Sequence, residues 1–220
     1  MMGDEQTVSR KLRTDGVQAR ERILSAALKL FVAQGFHKTS VRDIAAEANV
    51  NSAAIRYYFG DKASLYRAAL YEPVKHHLEE DTEPFDAPGL PLEEALRRYT
   101  RRRVLPLGGG EDILLSVRLR MRESFEPTGL MDDESFKLEL EQRFANVLMR
   151  ALGLSEPDTE LQALAFSIRA LSVYPYLSRE NLCKTNPELF ETPAALHAWI
   201  DRLTSYASAM VEVERKRRAT

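Results

Sequence analysis

Arg42, Ser52, Ala53 and Arg56 are the residues of this sequence whose types and spacing are best suited to recognising base edges in double-stranded DNA. An arginine can form two parallel hydrogen bonds to guanine, a serine hydroxyl can pair with several bases, and an alanine methyl group can pack on the methyl group of thymine. Such side chains act together only when they project from one rigid surface. Whether these four side chains can contact bases together therefore depends on the secondary-structure elements that the surrounding sequence forms.

A second set of polar residues flanks these four and is suited to holding the phosphate backbone. Hydroxyl, phenol and ammonium groups bind phosphate oxygens and set the orientation of a protein on DNA. The predicted phosphate contacts are Thr39, Ser40, Tyr57, Tyr58 and Lys62. Taken singly, each of these residues is equally compatible with the ordinary surface of a small helical bundle.

The elements that position both sets start with an amphipathic helix. Apolar residues recur at i, i+3, i+4, i+7 and i+8 from Ile23 to Phe31, which predicts a helix from about Val17 to Ala33. Gly35 follows it in the position that favours a positive φ after a helix. The residues before Val17 are polar and predict a flexible arm.

Two short helices joined by a tight turn come next. Ser40 and Asp43 resemble a capping box and predict the start of the second helix. The turn is 48–51, where asparagine tolerates a left-handed backbone. The third helix runs from about Ser52 to Phe59, and Gly60 ends it. This order predicts a helix-turn-helix, whose second helix enters the major groove.

The rest of the chain reads as helices only. A fourth helix is expected from about Lys62 to Glu79, with a kink at Pro73, and a Pro-rich linker follows it. Five further helices are predicted: 92–105, 111–125, 131–152, 158–183 with an interruption at Tyr174-Pro175-Tyr176, and 194–218. The expected fold is therefore all-α with about nine helices. Its segments are an arm at 1–16, a DNA-binding domain at 17–61 and a C-terminal domain at 62–220.

Charge is distributed unevenly along the chain. Between Arg10 and Arg67 there are eleven Lys or Arg and five Asp or Glu, whereas the residues from Ala68 onward carry 20 and 26. The formal net charge is only −2. A basic head on an acidic body is the asymmetry expected when one end of a protein meets a phosphate backbone.

Several classes of protein are disfavoured by what the sequence lacks. No apolar run is long enough to span a membrane, no secretory signal is recognisable, and Cys183 is the single cysteine, so a cytoplasmic location is expected. No phosphate-binding loop, nucleophile elbow or other catalytic motif is found, so neither enzymatic activity nor a cofactor is expected. His76 and His77 diverge by about 100° on a helix, which disfavours a metal site.

The DNA-binding segment resembles the N-terminal domain of the TetR family of bacterial transcriptional regulators. The resemblance covers about fifty residues, and Arg56 stands where that family typically has tyrosine. The stretch 50–66 and a later segment, Arg122-Glu123 with Pro127-Thr128, resemble one subgroup. The residues that match the family pattern are Ile23, Leu24, Ala26, Ala27, Leu30, Phe31, Gly35, Phe36, Thr39, Ser40, Val41, Ile44, Ala45, Ala48, Val50, Phe59, Lys62 and Leu65.

This resemblance implies a homodimer that binds a palindromic operator and carries a ligand pocket in its C-terminal domain. Apolar stripes on the last two predicted helices are candidates for the dimer interface, although both can also pack within one subunit. The predicted interface residues are Leu164, Ile168, Leu171, Trp199, Leu203, Tyr206 and Met210. The predicted pocket residues are Arg118, Met121, Arg122, Phe125, Phe144, Phe166 and Tyr174, for which plain core packing is the alternative.

The function expected from these features is that of a transcriptional repressor released from its operator by an unknown small-molecule effector. One alternative is a ligand-independent DNA-binding regulator or activator, which a C-terminal domain without a cavity favours. A second is an all-α small-molecule binding protein with a vestigial head. The retention of Arg42, Arg56 and Lys62 argues against that second alternative.

Overall fold

The computed structural model describes residues 4–80, 83–131 and 134–219, and side chains within 15–75, 83–131 and 139–219. These described residues form ten α-helices and two 3₁₀ helices, Leu105–Gly108 and Pro187–Leu189, and no β-strand. The α-helices are α1 Asp4–Lys38, α2 Val41–Glu47, α3 Ser52–Phe59, α4 Lys62–Glu80, α5 Leu92–Val104, α6 Glu111–Phe125, α7 Glu134–Leu152, α8 Thr159–Leu177, α9 Arg179–Thr185 and α10 Pro193–Arg218. The all-α prediction is confirmed.

The first helix is longer than predicted. It begins at Asp4, where the sequence analysis expected a flexible arm, and it ends at Lys38. Its early residues lack an apolar stripe but include good helix formers such as Leu12, so the sequence there is compatible with a helix. Gly35 interrupts the helical backbone with φ 82° and ψ 167°, and the positive φ predicted there is confirmed.

The tenth helix arises because the predicted helix 158–183 is divided into α8 and α9. The division lies at Ser178, where φ is −107° and ψ is 14°, whereas α8 continues through Pro175. The predicted interruption at Tyr174-Pro175-Tyr176 was therefore wrong. Proline lacks the backbone N–H, but Pro175 lies only two residues before the end of α8, so the helix loses a single hydrogen bond there. The neighbouring Tyr176 hydroxyl donates to the carbonyl of Arg103 at 2.6 Å.

The helices divide into two compact units. The first comprises Met1–Val74 with Glu111–Met131, and the second comprises Lys75–Gly110 with Asp132–Thr220. The first unit thus contains α1 to α3, most of α4 and α6, although the sequence analysis assigned α6 to the C-terminal domain. The predicted boundary at 61/62 concerns a division of roles and stays a prediction.

Aromatic packing stabilises the core of the first unit. The ring of Tyr66 lies edge-on to Phe31 and Phe36, with ring centroids 4.9 and 5.1 Å apart. Leu119 of α6 is fully buried in the same core. The other buried members are Ile23, Ala26, Ala27, Leu28, Ile44, Ala45, Ala48, Ile55, Leu65, Ala69 and Leu70. The helix-turn-helix elements and α6 therefore share one hydrophobic core.

The second unit has a separate core in which α5 packs along α10. Tyr99 and Phe144 stack with their ring centroids 3.7 Å apart, and Phe85 packs against both. Arg143 donates two hydrogen bonds, of 2.8 and 2.7 Å, to Asp86 in the turn before α5. These hydrogen bonds lower the pKa of the Asp86 carboxyl below its ordinary value.

Candidate nucleic-acid interface

A complete capping box fixes the start of α2. The hydroxyl of Ser40 accepts a hydrogen bond from the backbone N–H of Asp43 at 3.1 Å, and the carboxylate of Asp43 accepts one from the backbone N–H of Ser40 at 3.2 Å. The Ser40 hydroxyl also donates to this carboxylate, and these bonds lower the pKa of Asp43. The predicted capping box is confirmed, and it sets the direction in which α2 presents Arg42.

Thr39 differs from its predicted role as a phosphate contact. Its side chain is only 1% exposed, and its hydroxyl donates to the carbonyl of Gly35 at 2.8 Å. The hydroxyl is therefore already used in closing the end of α1, because the non-helical backbone at Gly35, with its positive φ, leaves that carbonyl without a helical donor. Thr39 supports α2 from within the core.

The turn and the N-cap of α3 follow the predicted pattern. Asn49 adopts φ 52°, so the expected left-handed residue in this turn is confirmed. The side chain of Asn51 accepts from the backbone N–H of Ala54 at 2.9 Å and caps α3. Ile55 is buried beneath the helix, whereas Ser52 and Ala53 are exposed on its first turn. The first turn of α3 is thus held rigidly with its small side chains outward.

Arg42 and Arg56 are exposed cations on the two helices of this motif. Within the described part of the chain neither forms an ion pair. Tyr57 is exposed on α3, while Tyr58 is half-buried and meets the Tyr57 ring edge-on at 4.9 Å. The structure therefore presents an unneutralised positive surface on which all four predicted base-reading residues are exposed.

Lys62 connects the start of α4 to the end of α1. Its ammonium group donates to the carbonyls of Phe36 and Thr39, both at 3.0 Å, and lies 4.1 Å from the centroid of the Phe36 ring. An ammonium group has three donors, so one remains for a phosphate oxygen. The phosphate contact was predicted from the sequence, whereas this second role was not.

A buried carboxylate lies behind the motif in the same unit. Glu123 is 8% exposed and accepts from the hydroxyl of Tyr66 at 2.7 Å and from the backbone N–H and hydroxyl of Thr128, both at 2.8 Å. Burial, followed by these interactions with Glu123, raises the pKa of the Tyr66 phenol, so the hydroxyl stays protonated and donates. The Tyr66 ring packs on the Phe36 ring, and the Lys62 ammonium group lies over that same ring. The Glu123 carboxylate is therefore connected to Lys62 through two aromatic side chains.

Arg122 holds α6 against the end of α1. It donates to the carbonyl of Val32 at 3.1 Å, and its guanidinium lies so near Gly35 that a Cβ there would be 3.0 Å away. Glu126 pairs with it at 2.9 Å. The Arg122-Glu123 and Pro127-Thr128 segment noted in the sequence thus joins α6 to α1 and α4, whereas Arg122 was predicted as a pocket residue.

The remaining predicted pocket residues are divided between the two units, and their role as pocket residues stays a prediction. Arg118 and Phe125 are exposed on α6, and Met121 is half-buried there. In the second unit Phe144 is buried against Tyr99, while Phe166 and Tyr174 are each 64% exposed. The aromatic pattern identified these residues correctly as helical, but it did not distinguish core from surface.

A crevice occurs elsewhere in the second unit, among α5, α8 and α10. The space between its atoms amounts to roughly 200 Å³, part of which is open solvent. This space consists of gaps too narrow to hold a water molecule. The side chain of Arg103 lies in it and donates to the hydroxyl of Ser172 at 2.6 Å. The residues that line the crevice are Tyr99, Thr100, Arg103, Ile168, Leu171, Ser172, Leu203 and Ala207.

The predicted interface residues are distributed over both sides of α8 and α10. Leu164, Ile168 and Leu203 are buried inside the second unit, so this face is already covered within one subunit. Leu171, Trp199 and Met210 are half-buried and Tyr206 is exposed. The outer faces of the two helices carry further exposed apolar side chains, namely Phe166, Tyr174, Leu177 and Val213.

Neither a metal site nor a membrane span is found among the described residues. No group of three or more His, Cys, Asp or Glu side chains in them is placed to hold a metal ion. The side chains of His76 and His77 lie outside the described residues. No described helix is both long and apolar enough to cross a bilayer.

The capped α2, the tight turn and the exposed start of α3 define a protein with a helix-turn-helix motif. Residues 23–69 match the model of bacterial regulatory proteins of the tetR family, and residues 92–212 match the C-terminal domain of the HTH-type transcriptional dual regulator CecR. The chain therefore belongs to the TetR family, with a C-terminal domain of the CecR type.

Curated relatives and solved structures agree with this assignment. The chain is 34% identical over 123 residues to the dual regulator CecR of Shigella flexneri, covering 51% of this chain and 54% of that protein. It is 35% identical over 77 residues to the regulator SrpR of Pseudomonas putida, covering 35% and 36%. These matches span about half or less of each relative.

Among solved structures, the TetR family regulator PfmR of Thermus thermophilus gives a TM-score of 0.58 at 18% identity, covering 87% of this chain and 97% of that one. A TetR-like regulator of Rhodococcus gives 0.58 at 20% identity, covering 87% and 96%. At these identities the likeness concerns the fold alone.

Proposed function

We propose that this chain is a transcriptional repressor that binds a palindromic operator as a homodimer. The observation that carries the proposal is the exposure of Ser52, Ala53 and Arg56 on α3 and of Arg42 on α2, with no ion pair for either arginine in the described chain. Recognition helices of this motif contact bases with their early residues. The proposed contacts to the phosphate backbone flank this surface and are Ser40, Tyr57, Tyr58 and Lys62.

Dimerisation is supported by the outer faces of α8 and α10. Phe166, Tyr174 and Leu177 recur along α8 at the spacing of one helical face, and Tyr206 and Val213 do the same along α10. Exposed apolar stripes of this kind mark contact surfaces. Two such helices from each subunit form a four-helix interface, which presents two recognition helices to successive major grooves about 34–36 Å apart.

Footprinting on the DNA upstream of the chain's own gene tests the proposal, with Arg56→Ala as the decisive variant. We expect wild type to protect a palindrome and Arg56→Ala to lose about 1–3 kcal/mol of binding free energy and selectivity at one base position in each half-site. Fluorescence anisotropy with operator and random duplexes measures both effects.

The matched control is Arg118→Ala, which removes an exposed arginine of α6 in the same unit. Operator affinity should change little in this control. Equal losses on operator and random DNA for Arg56→Ala would remove Arg56 from base recognition, and the absence of any protected site would refute the proposed function.

We further propose that a small-molecule effector bound by the second unit releases the operator. An effector acts in this way when it binds one conformation of the dimer better than another. The crevice has no room for a water molecule, so the effector mechanism requires it to open, and a ligand-independent regulator is the second candidate. Titrating ligand into the operator complex distinguishes the two, since only the effector mechanism lowers operator affinity.

A further inference from the structure

Arg103 is an arginine whose charge is not neutralised by any described residue. Its Nε donates to the hydroxyl of Ser172 at 2.6 Å, and its guanidinium carbon lies 5.6 Å from the centroid of the Tyr99 ring. Neither partner carries a negative charge. Other arginines of this unit do have carboxylate partners, as in the pairs Arg97–Asp201, Arg98–Glu94, Arg143–Asp86 and Arg218–Asp158.

Arg169, which also acts on the phenol of Tyr99, differs from Arg103 in having a carboxylate partner. Arg169 forms an ion pair with Glu141, so these two charges cancel. Arg103 is half-buried, and holding a cation away from water without a counter-charge is unfavourable. A group of opposite charge would therefore be bound favourably beside it.

The walls around this cation are suited to an organic molecule. Ile168, Leu171 and Leu203 supply apolar surface, and Thr100 supplies a second hydroxyl beside that of Ser172. A guanidinium has five N–H donors, and the terminal ones match the two oxygens of a carboxylate. Only the Nε donor is taken by Ser172. An apolar cleft with one convergent charged group is the usual form of a small-molecule site.

We infer that this crevice binds a small organic acid, with its carboxylate on the terminal nitrogens of Arg103 and its apolar part between α8 and α10. The inference rests on the proposed function in that the acid is the effector. The crevice has no room for a water molecule, so the acid is small and enters only when the half-buried Leu171 side chain turns aside.

The test compares three carboxylates of graded size with their uncharged amides: benzoate, 4-phenylbutyrate and octanoate against benzamide, 4-phenylbutyramide and octanamide. Isothermal titration calorimetry on the full chain measures each affinity. We expect at least one acid to bind about tenfold more tightly than its amide, the difference that one charge-assisted hydrogen bond supplies. If every acid binds no better than its amide, the inference is overturned.

Arg103→Gln should abolish the preference for the acid over the amide. Arg97→Gln is the matched control on the same helix, because it removes an exposed arginine paired with Asp201, and the preference should survive in it. A preference that persists in Arg103→Gln places the acid elsewhere and overturns the inference. The comparison of acid with amide in wild type needs no variant, so a folding defect in Arg103→Gln does not remove the test.

Operator binding is measured separately with the acid present and absent. An acid that binds through Arg103 and weakens the operator complex supports the inference in full, and an acid that binds without changing operator affinity refutes its role as effector. If wild type protects an operator but shows no preference for an acid, the inference alone fails. If no operator is protected, the proposed function fails whatever the calorimetry shows.

Discussion

Glu123 illustrates how one residue far along the sequence can position the DNA-binding surface of its own unit. Its carboxylate accepts the hydroxyl of Tyr66, whose ring packs on Phe36, and the Phe36 ring lies under the ammonium group of Lys62. We therefore expect Glu123 and Tyr66 to position Lys62, the proposed phosphate contact, without contacting DNA themselves.

Tyr66→Phe should destabilise the protein by about 1–3 kcal/mol, because a buried carboxylate loses one of its three donors while the aromatic ring is kept. Urea unfolding followed by circular dichroism measures the free energy of unfolding. Tyr57→Phe is the control, since Tyr57 is exposed in the same unit and its change should lie within about 0.5 kcal/mol. Equal unfolding free energies for the two variants would contradict the role of the Tyr66 hydroxyl.

At the scale of elements, one carboxylate joins the start of α8 to the end of α10. Asp158 caps α8 by accepting from the backbone N–H of Leu161 at 2.8 Å, and it accepts from two nitrogens of Arg218 at 2.6 and 2.9 Å. The hydrogen bonds from Arg218, followed by the one from Leu161, hold the pKa of Asp158 well below its ordinary value.

A depressed pKa in the folded state makes this contact sensitive to acid in a defined direction. Its stabilisation is complete above the ordinary aspartate pKa of about 3.9 and is lost as pH falls toward the lower folded value. Asp158→Asn keeps a good N-cap but removes the charge, so its unfolding midpoint in urea should fall less between pH 5 and pH 3 than that of wild type.

Urea midpoints at several pH values give the comparison. Asp201→Asn, which removes an exposed carboxylate of α10, serves as the control and should retain the acid dependence of wild type. Parallel pH profiles for wild type and Asp158→Asn would show that the contact contributes nothing in solution.

On the scale of the whole molecule, the exposed apolar faces of α8 and α10 determine the expected assembly. Tyr174 is 64% exposed, an unusual position for a large aromatic side chain on a helix that also buries Leu161 and Ile168. Since the inner face of α8 is covered within the subunit, the outer face is available for a second copy. In the proposed function, operator recognition by two heads depends on that contact.

Tyr174→Glu should convert the dimer to a monomer, because the interface would then bury an unpaired charge. Size-exclusion chromatography with light scattering measures the mass, and anisotropy should show weaker binding to the full palindrome. Phe125→Glu is the matched control, since Phe125 is 76% exposed on α6 in the other unit. A dimeric Tyr174→Glu variant would exclude this face as the interface.

Local features were the ones that the sequence predicted well. Four such features were expected and found: the capping box at Ser40, the left-handed Asn49, the positive φ at Gly35 and the limits of α3. Each depends on hydrogen bonds or backbone preferences within about four residues, which spacing and residue type reveal directly. The all-α class follows from the same short-range periodicity.

Features that depend on distant parts of the chain were missed or misplaced. Tyr66 and Glu123 are 57 positions apart, and Arg103 and Ser172 are 69 apart. Helical periodicity shows that a residue such as Phe166 lies on an apolar stripe, but it does not show whether that stripe meets a neighbouring helix or solvent. For this reason the sequence did not show which of the predicted pocket and interface residues are buried and which are exposed.

The sequence by itself determined the family, the helix-turn-helix and the exposed side chains that are proposed to read bases, because these rest on short-range patterns. The tertiary structure alone decided that Thr39 is buried, that Arg122 and Glu123 hold α6 to the DNA-binding helices, and that Arg103 lies unneutralised in a crevice. Burial and charge compensation are set by which helices pack together, and that packing depends on contacts over the full length of each unit.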